Sequence, residues 1–238
     1  MKFYTNITRW GNHLLLREVV NGERVNQRIK YSPTLYCLVN KPTEYKTLDD
    51  KYVTPVKHET MKEANEWIDN YQSDLVFGSN TYQYNYLADQ YPNRVEWDME
   101  KLLIVTIDIE VQCENGFPDP EKALEELLSI TIKNHQTKEI VVWGIGDFKS
   151  NRSDVHYVSC ENELHLIKEF LVFWERNHPD VITGWNTEFF DIPYLCNRIK
   201  NRCDEDEIRR LSPWRSVSSR TVFKLSLIHI SEPTRRSM

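Results

Sequence analysis

Glycine and proline are scarce in this chain of 238 residues, at 7 and 10, and no low-complexity tract or internal repeat is present. No apolar run approaches the roughly 18–20 residues that a membrane span needs, so membrane partners are excluded at this level. The opening M-K-F-Y-T-N-I-T-R-W has no apolar signal-peptide core, which predicts that the protein stays in the cytoplasm where it is made. Five cysteines, Cys37, Cys113, Cys160, Cys196 and Cys203, form an odd set without C-x-x-C spacing, which argues against a disulfide framework or a zinc site. Nor is there an excess of positive charge. A net charge of −6 argues against a dedicated duplex-binding module, though not against an acidic site that handles a nucleic-acid end through metal ions. What remains, with 40% hydrophobic and 12% aromatic residues, is enough for a sizeable core and for two domains.

Two acids stand out inside an apolar run. Leu102 to Val111 reads L-L-I-V-T-I-D-I-E-V, and its Leu, Ile and Val content predicts a strand covered on both faces. Residues at i and i+2 of a strand share a face, roughly 6.5–7 Å apart, so Asp108 and Glu110 look into one space. Two anions held this close repel each other and raise at least one pKa unless a cation intervenes, and a divalent metal is the natural remedy. The plainer alternative is a solvated Asp-x-Glu face, common in a chain with 36 acidic residues.

Before this run, residues 12–31 read as two strands joined by Asn21-Gly22, the dipeptide favoured in two-residue hairpins. Thr60 and Glu63 form a capping box ahead of a helix with Ala64, Trp67, Ile68 and Tyr71 on one face, expected to lie across the hairpin's sheet. Thr81 to Tyr91 reads as a strand or an ordered loop whose aromatics pack locally. The polar stretch Tyr91 to Glu100 marks a boundary, giving an α+β amino-terminal domain over 1–100 and an α/β domain from 101. There the acidic strand starts a meander with Leu127–Lys133 and Glu139–Gly144. A helix over Glu161–Asn177 follows, with Leu164, Ile167, Lys168, Leu171 and Trp174 in register, then a strand at Asp180–Thr183 and a helix over Phe190–Asn201. Three strands, helix, strand, helix is an order found in RNase H-like nucleases.

The segment V-I-T-G-W-N-T-E-F-F-D-I-P-Y places Asp191 at the start of that last helix. Alone it reads as a helix cap; beside the acidic strand it reads as a third carboxylate. Asn186 and Phe190 flank it with an amide suited to phosphate or sugar and an aromatic suited to a base.

The D-I-E strand, G-F-P-D-P at 116–120, G-W-N-T-E-F-F-D-I-P-Y and R-R-L-S-P at 209–213 resemble the amino-terminal and 3′→5′ exonuclease domains of family B DNA polymerases, most nearly those of T-even-type bacteriophages. The resemblance implies an RNase H-like proofreading exonuclease using two Mg²⁺ ions, with Mn²⁺ as a substitute. It implies that Asp108 bridges both ions, Glu110 ligates the one that activates water, and Asp191 holds the second through water. Phe117 would lie against bases at the 3′ end, or else close a local hydrophobic cluster, while Asn186 and Phe190 would contact the strand. The implied partner is DNA, as a single-stranded 3′ end or a primer-template, in the cytoplasm of a host cell. Contacts with replisome proteins are not legible.

The family's third motif, Y-x-x-x-D, has no match after Asp191, and the polymerase motifs are absent from the sequence. From Leu225, L-S-L-I-H-I-S-E-P-T-R resembles a translated sequencing adaptor, so the exonuclease domain is expected over 101–224, with 225–238 an artefact and the natural protein longer. The alternatives are a stand-alone exonuclease and a non-catalytic nucleic-acid-binding module.

Overall fold

The structure, a computed structural model, describes residues 1–71, 75–114 and 116–218. The tail at 225–238 lies outside the described residues.

The chain begins with a three-stranded antiparallel sheet, β1 (Lys2–Trp10), β2 (His13–Val20) and β3 (Glu23–Lys30). The expected hairpin is its second half. Asn21 and Gly22, both at positive φ (54° and 91°), turn the chain so that Val20 pairs with Glu23. Its first half, β1, escapes a reading aimed at targeting signals, because its apolar residues are diluted by Thr, Asn and Arg. A second sheet, ordered β5-β6-β4-β7, is built from β4 (Thr34–Leu38), β5 (Tyr45–Lys46), β6 (Tyr52–Lys57) and β7 (Val76–Phe77). Helix α1 (Met61–Asn70) starts at Thr60, whose hydroxyl accepts from the Glu63 amide, while Glu63 reaches back to the Glu59 amide. Met61 and Ala64 of α1 pack against Leu14 of the first sheet and Leu35 of the second, with Trp67 and Ile68 beside them. Tyr71 caps the end of the helix and is exposed, but its ring stacks on that of Trp67 at 4.8 Å and so extends that face.

Residues 82–90 are helical rather than a strand or loop: α2 (Tyr82–Gln90) buries Tyr82 in the same cluster as Leu14 and Ala64. Tyr82, Tyr84 and Tyr86 alternate as a strand would, yet the buried positions are Tyr82 and Leu87, and tertiary packing overrides the local pattern.

A 3-10 turn at Met99–Lys101 leads into the second sheet-and-helix body. It contains β8 (Ile104–Val111), β9 (Leu127–Asn134), β10 (Ile140–Ile145), β11 (Val155–Cys160), α3 (Glu163–Arg176), β12 (Val181–Thr183), α4 (Asp191–Arg202) and the short α5 (Glu205–Arg209). The sheet order is β11-β10-β9-β8-β12, antiparallel across β8–β9–β10 and parallel at both edges. This is the mixed sheet with flanking helices expected of an RNase H-like fold, with one strand more than the sequence order suggested. The extra strand is β11, V-H-Y-V-S-C, whose polar residues hide it.

One face of the sheet carries the core. Val105, Ile107 and Ile109 of β8 join Ile130, Ile132 and Trp143 beneath Leu166, Ile167, Phe170, Leu171 and Trp174 of α3 and Tyr194, Leu195 and Ile199 of α4. Each such side chain contributes about 1.5–3 kcal/mol by burial. The buried stripe of α3 therefore differs from the expected one: Leu164 and Lys168 face solvent, and Leu166 and Phe170 take their places. The other face of β8 is open, which corrects the expectation of a strand covered on both sides. Among the described residues no helix is long and apolar enough to cross a membrane.

Candidate nuclease site

The alternation of β8 sends its apolar residues into the core and Asp108 and Glu110 to the open face, where both are exposed. Opposite them on β9 stand Thr131 and Ser129, small side chains that leave the acids uncrowded. The ladder shifts just beyond, where Glu110 pairs with Ser129 but Val111 with Leu127, so Leu128 is left over as a bulge. Bulges end regular pairing and re-aim the neighbouring side chains.

Asp191 comes to the same strand from the other side. Strand β12 pairs with β8 through only three residues, Val181–Thr183 against Ile104–Thr106, so the next amides on that edge of β8 need partners from elsewhere. The Ile109 amide, between the two acids, donates to Asp191 Oδ1 at 3.2 Å. The connection that allows this is tight. A Cβ on Gly184 would lie 2.7 Å from the Ile107 carbonyl oxygen and would also collide with the Thr187 hydroxyl, so only glycine lets the loop press against β8. Asp191 is 3% exposed, and burial pushes its carboxyl above the usual carboxylate range. The Ile109 amide and its own amide oppose that shift, and the charges of Asp108 and Glu110 add to it. Asp191 is thus the first residue of α4 but its side chain is spent on β8, not on capping.

The aromatic candidates also meet. Phe117, 80% exposed, places its ring 4.8 Å from that of half-buried Phe190, which in turn lies 5.5 Å from Tyr194. The Phe117 loop is tied down by α4: Asn197 donates to the Pro120 carbonyl, Arg198 to those of Ala123 and Leu124, and Tyr194 to that of Glu125. Both suggested roles for Phe117 remain compatible with this geometry, since the pair is a local cluster and an open aromatic surface at once. Asn186 is exposed at positive φ (58°), and its carbonyl accepts from the Phe189 and Phe190 amides, closing the turn before α4.

Sequence reasoning passed over Gly184, Thr187 and Asp180. Gly184 had a signal, a glycine directly after a strand; Thr187, whose buried hydroxyl has no hydrogen-bond partner among the described residues, had none. Among the described residues, no group of three His, Cys, Asp or Glu side chains stands in a geometry that could hold a metal ion. The three carboxylates are neighbours through the β8 backbone and through their charges rather than as a closed cage. Their donor chemistry, all anionic oxygen, suits hard divalent cations such as Mg²⁺ or Mn²⁺.

Residues 59–233 match the family described as DNA polymerase family B, exonuclease domain. The chain belongs to that family. It is 29% identical over 252 residues to the DNA-directed DNA polymerase of Escherichia phage RB69 and 28% identical over 250 residues to that of Enterobacteria phage T4, covering 93% of this chain in both. A DNA polymerase of Thermococcus litoralis is 28% identical over 145 residues, 60% of this chain and 8% of that protein. The chain spans 28% of the length of the two phage relatives. Exonuclease domains of this family generally depend on divalent metal ions, and the family B assignment carries that coarse expectation to this chain.

Proposed function

We propose that this chain is the amino-terminal part of a replicative family B DNA polymerase and carries most of its proofreading 3′→5′ exonuclease, with an amino-terminal domain over 1–100 and the exonuclease over 101–224. The observation that carries this reading is Asp191, a carboxylate bonded to the amide between Asp108 and Glu110, with its pKa raised first by burial and then by their charges. Asp191 is desolvated beside two further anions, with no cationic side chain bonded to it among the described residues, and a bound cation would offset that cost.

Asp108, Glu110 and Asp191 would hold two Mg²⁺ or Mn²⁺ ions. When bound, such ions stabilise the departing 3′-oxygen of the penultimate nucleotide and make a nucleophilic water available near neutral pH. Around them exposed Phe117 takes the terminal base by stacking, and Asn186 and half-buried Phe190 contact the strand. The product is a nucleoside monophosphate. A strand end must be unpaired to reach the acids, so frayed or mismatched 3′ termini are preferred, and selectivity comes from the cost of melting. DNA is the substrate, in the cytoplasm of a host cell.

Calorimetric titration of the chain with Mn²⁺ tests the reading: binding is expected, with at least a tenfold loss in Asp108→Ala. Absence of binding, or binding indifferent to Asp108→Asn, favours a nucleic-acid-binding module with structural acids. A single-stranded oligonucleotide labelled at its 3′ end should be digested slowly at most, because the family's fourth carboxylate has no counterpart after Asp191. Rapid digestion lost in Asp108→Ala would overturn the need for it. Resequencing the source DNA across codon 224 should show the frame continuing into Y-x-x-x-D and polymerase motifs; a genuine stop soon after that motif would instead indicate a stand-alone exonuclease.

A further inference from the structure

Asp180 lies immediately before β12, with its side chain 3% exposed, and takes hydrogen bonds from two parts of the molecule. Its carboxylate accepts from Thr5 Oγ1 of β1 at 3.1 Å, from Arg24 Nε of β3 at 2.9 Å and from the Leu103 amide at 2.9 Å, and Arg17 of β2 approaches within 3.3 Å. Arg17 also donates to the carbonyls of His178 and Pro179, and Arg24 to that of Lys101. The amides of Asp180 and Val181 both donate to the Leu103 carbonyl. All three strands of the amino-terminal sheet therefore hold the point where β12 first meets β8.

From there the path to the acids is short. Three paired residues of β12 are followed by Gly184 against Ile107, and then by the turn that places Asp191 on the Ile109 amide. A three-residue strand has little hold on its own register. A slip of one residue would send every side chain of β12 to the opposite face and shift the loop along β8. Ile182, in register with buried Val105, is itself 42% exposed, so packing contributes little to holding β12 in place.

We infer that Asp180, clamped by Thr5, Arg17 and Arg24, is a positioning residue that sets Asp191 against Asp108 and Glu110, so that the amino-terminal sheet is part of the exonuclease's machinery. This rests on the reading of those three acids as the nuclease site. The clamp acts through the register of β12 and touches neither substrate nor acids.

The test uses the 238-residue chain with Asp180→Asn, which keeps shape and removes the charge that the two arginines need. Arg24→Gln is a milder companion should the first variant fold poorly, since Arg24 is partly exposed. Leu14→Ala, in the amino-terminal cluster, serves as a control for lost stability. Amide hydrogen exchange without metal reads the geometry directly. Asp180→Asn is expected to speed exchange at Ile109 at least tenfold and at the β9 and β10 amides less than twofold, with Arg24→Gln giving the same pattern at smaller amplitude. Uniform acceleration, as in Leu14→Ala, or no change at Ile109 overturns the inference. Mn²⁺ titration adds a second readout: Asp180→Asn should weaken binding about fivefold in the wild-type background and less than twofold beside Asp191→Asn. Equal losses in both backgrounds overturn it. If the unmodified chain binds no Mn²⁺, the nuclease reading fails, and the exchange at Ile109 still decides the positioning role.

Discussion

Glu163 and Asp191 occupy the same place in two helices. Each is the first residue of a helix packed on the same sheet, each is nearly fully buried, and each accepts a backbone amide from a strand or its edge. Their surroundings are opposite. Glu163 receives Arg198 through two hydrogen bonds and Arg202 through a third contact at 2.8 Å, as well as the Leu127 amide. Its helix is capped independently, by Asn162 on the His165 amide. Among the described residues no cationic side chain is bonded to Asp191, which feels the charges of Asp108 and Glu110 and stands in a helix whose preceding residue, Phe190, makes no side-chain cap. The helix N-terminus favours either anion, but only Glu163 is otherwise neutralised. Burial alone does not separate these two acids; the sign of the neighbouring charge does.

Four measurements break or sharpen that contrast. The largest effect is expected from Glu163→Ala, which strands Arg198 and should cost about 3–5 kcal/mol in urea unfolding. Asp191→Asn, which keeps an oxygen for the Ile109 amide, should change stability by less than about 1 kcal/mol or raise it. Equal losses would erase the distinction. Next, Mn²⁺ at 100 times its Kd should stabilise the unmodified chain by about 2.7 kcal/mol. The same addition should stabilise Asp108→Ala by no more than about 1.4 kcal/mol, and thermal melts with and without metal decide this. Gly184→Ala should cost about 1–3 kcal/mol, since its methyl group meets backbone at Ile107. It should weaken Mn²⁺ binding as well, whereas a purely structural loop would lose stability alone.

The smallest effect is on pH dependence. Because the Asp191 carboxyl sits above its ordinary value when folded, the folded chain holds more protons than the unfolded one across that window. Stability should therefore fall as pH rises from the ordinary carboxylate value through the raised one, by at most about 1.4 kcal/mol per pH unit. Melting temperatures of the unmodified chain and Asp191→Asn, compared over that range, should converge in acid and separate as pH rises. Parallel curves would remove the cost of burying a charged Asp191 from the account.

Much of this was legible in the chain. Asn21-Gly22 announces its hairpin, Thr60 and Glu63 announce α1, and the alternation around Asp108 and Glu110 places both acids on one face. Strands β1 and β11 were not legible, because their polar residues break the apolar pattern. Helix α2 was misread because tyrosines at alternate positions mimic a strand.

Local periodicity and turn chemistry, which act over a few residues, determined the elements and put carboxylates where they could be noticed. The sequence motifs also determined the family. Tertiary structure alone decided that one face of β8 is open, that Asp191 is spent on the Ile109 amide, and that three amino-terminal strands grip Asp180. Such pairings join residues 82 to 175 positions apart, and their cost and gain depend on which groups are desolvated together. No local window of sequence contains that information.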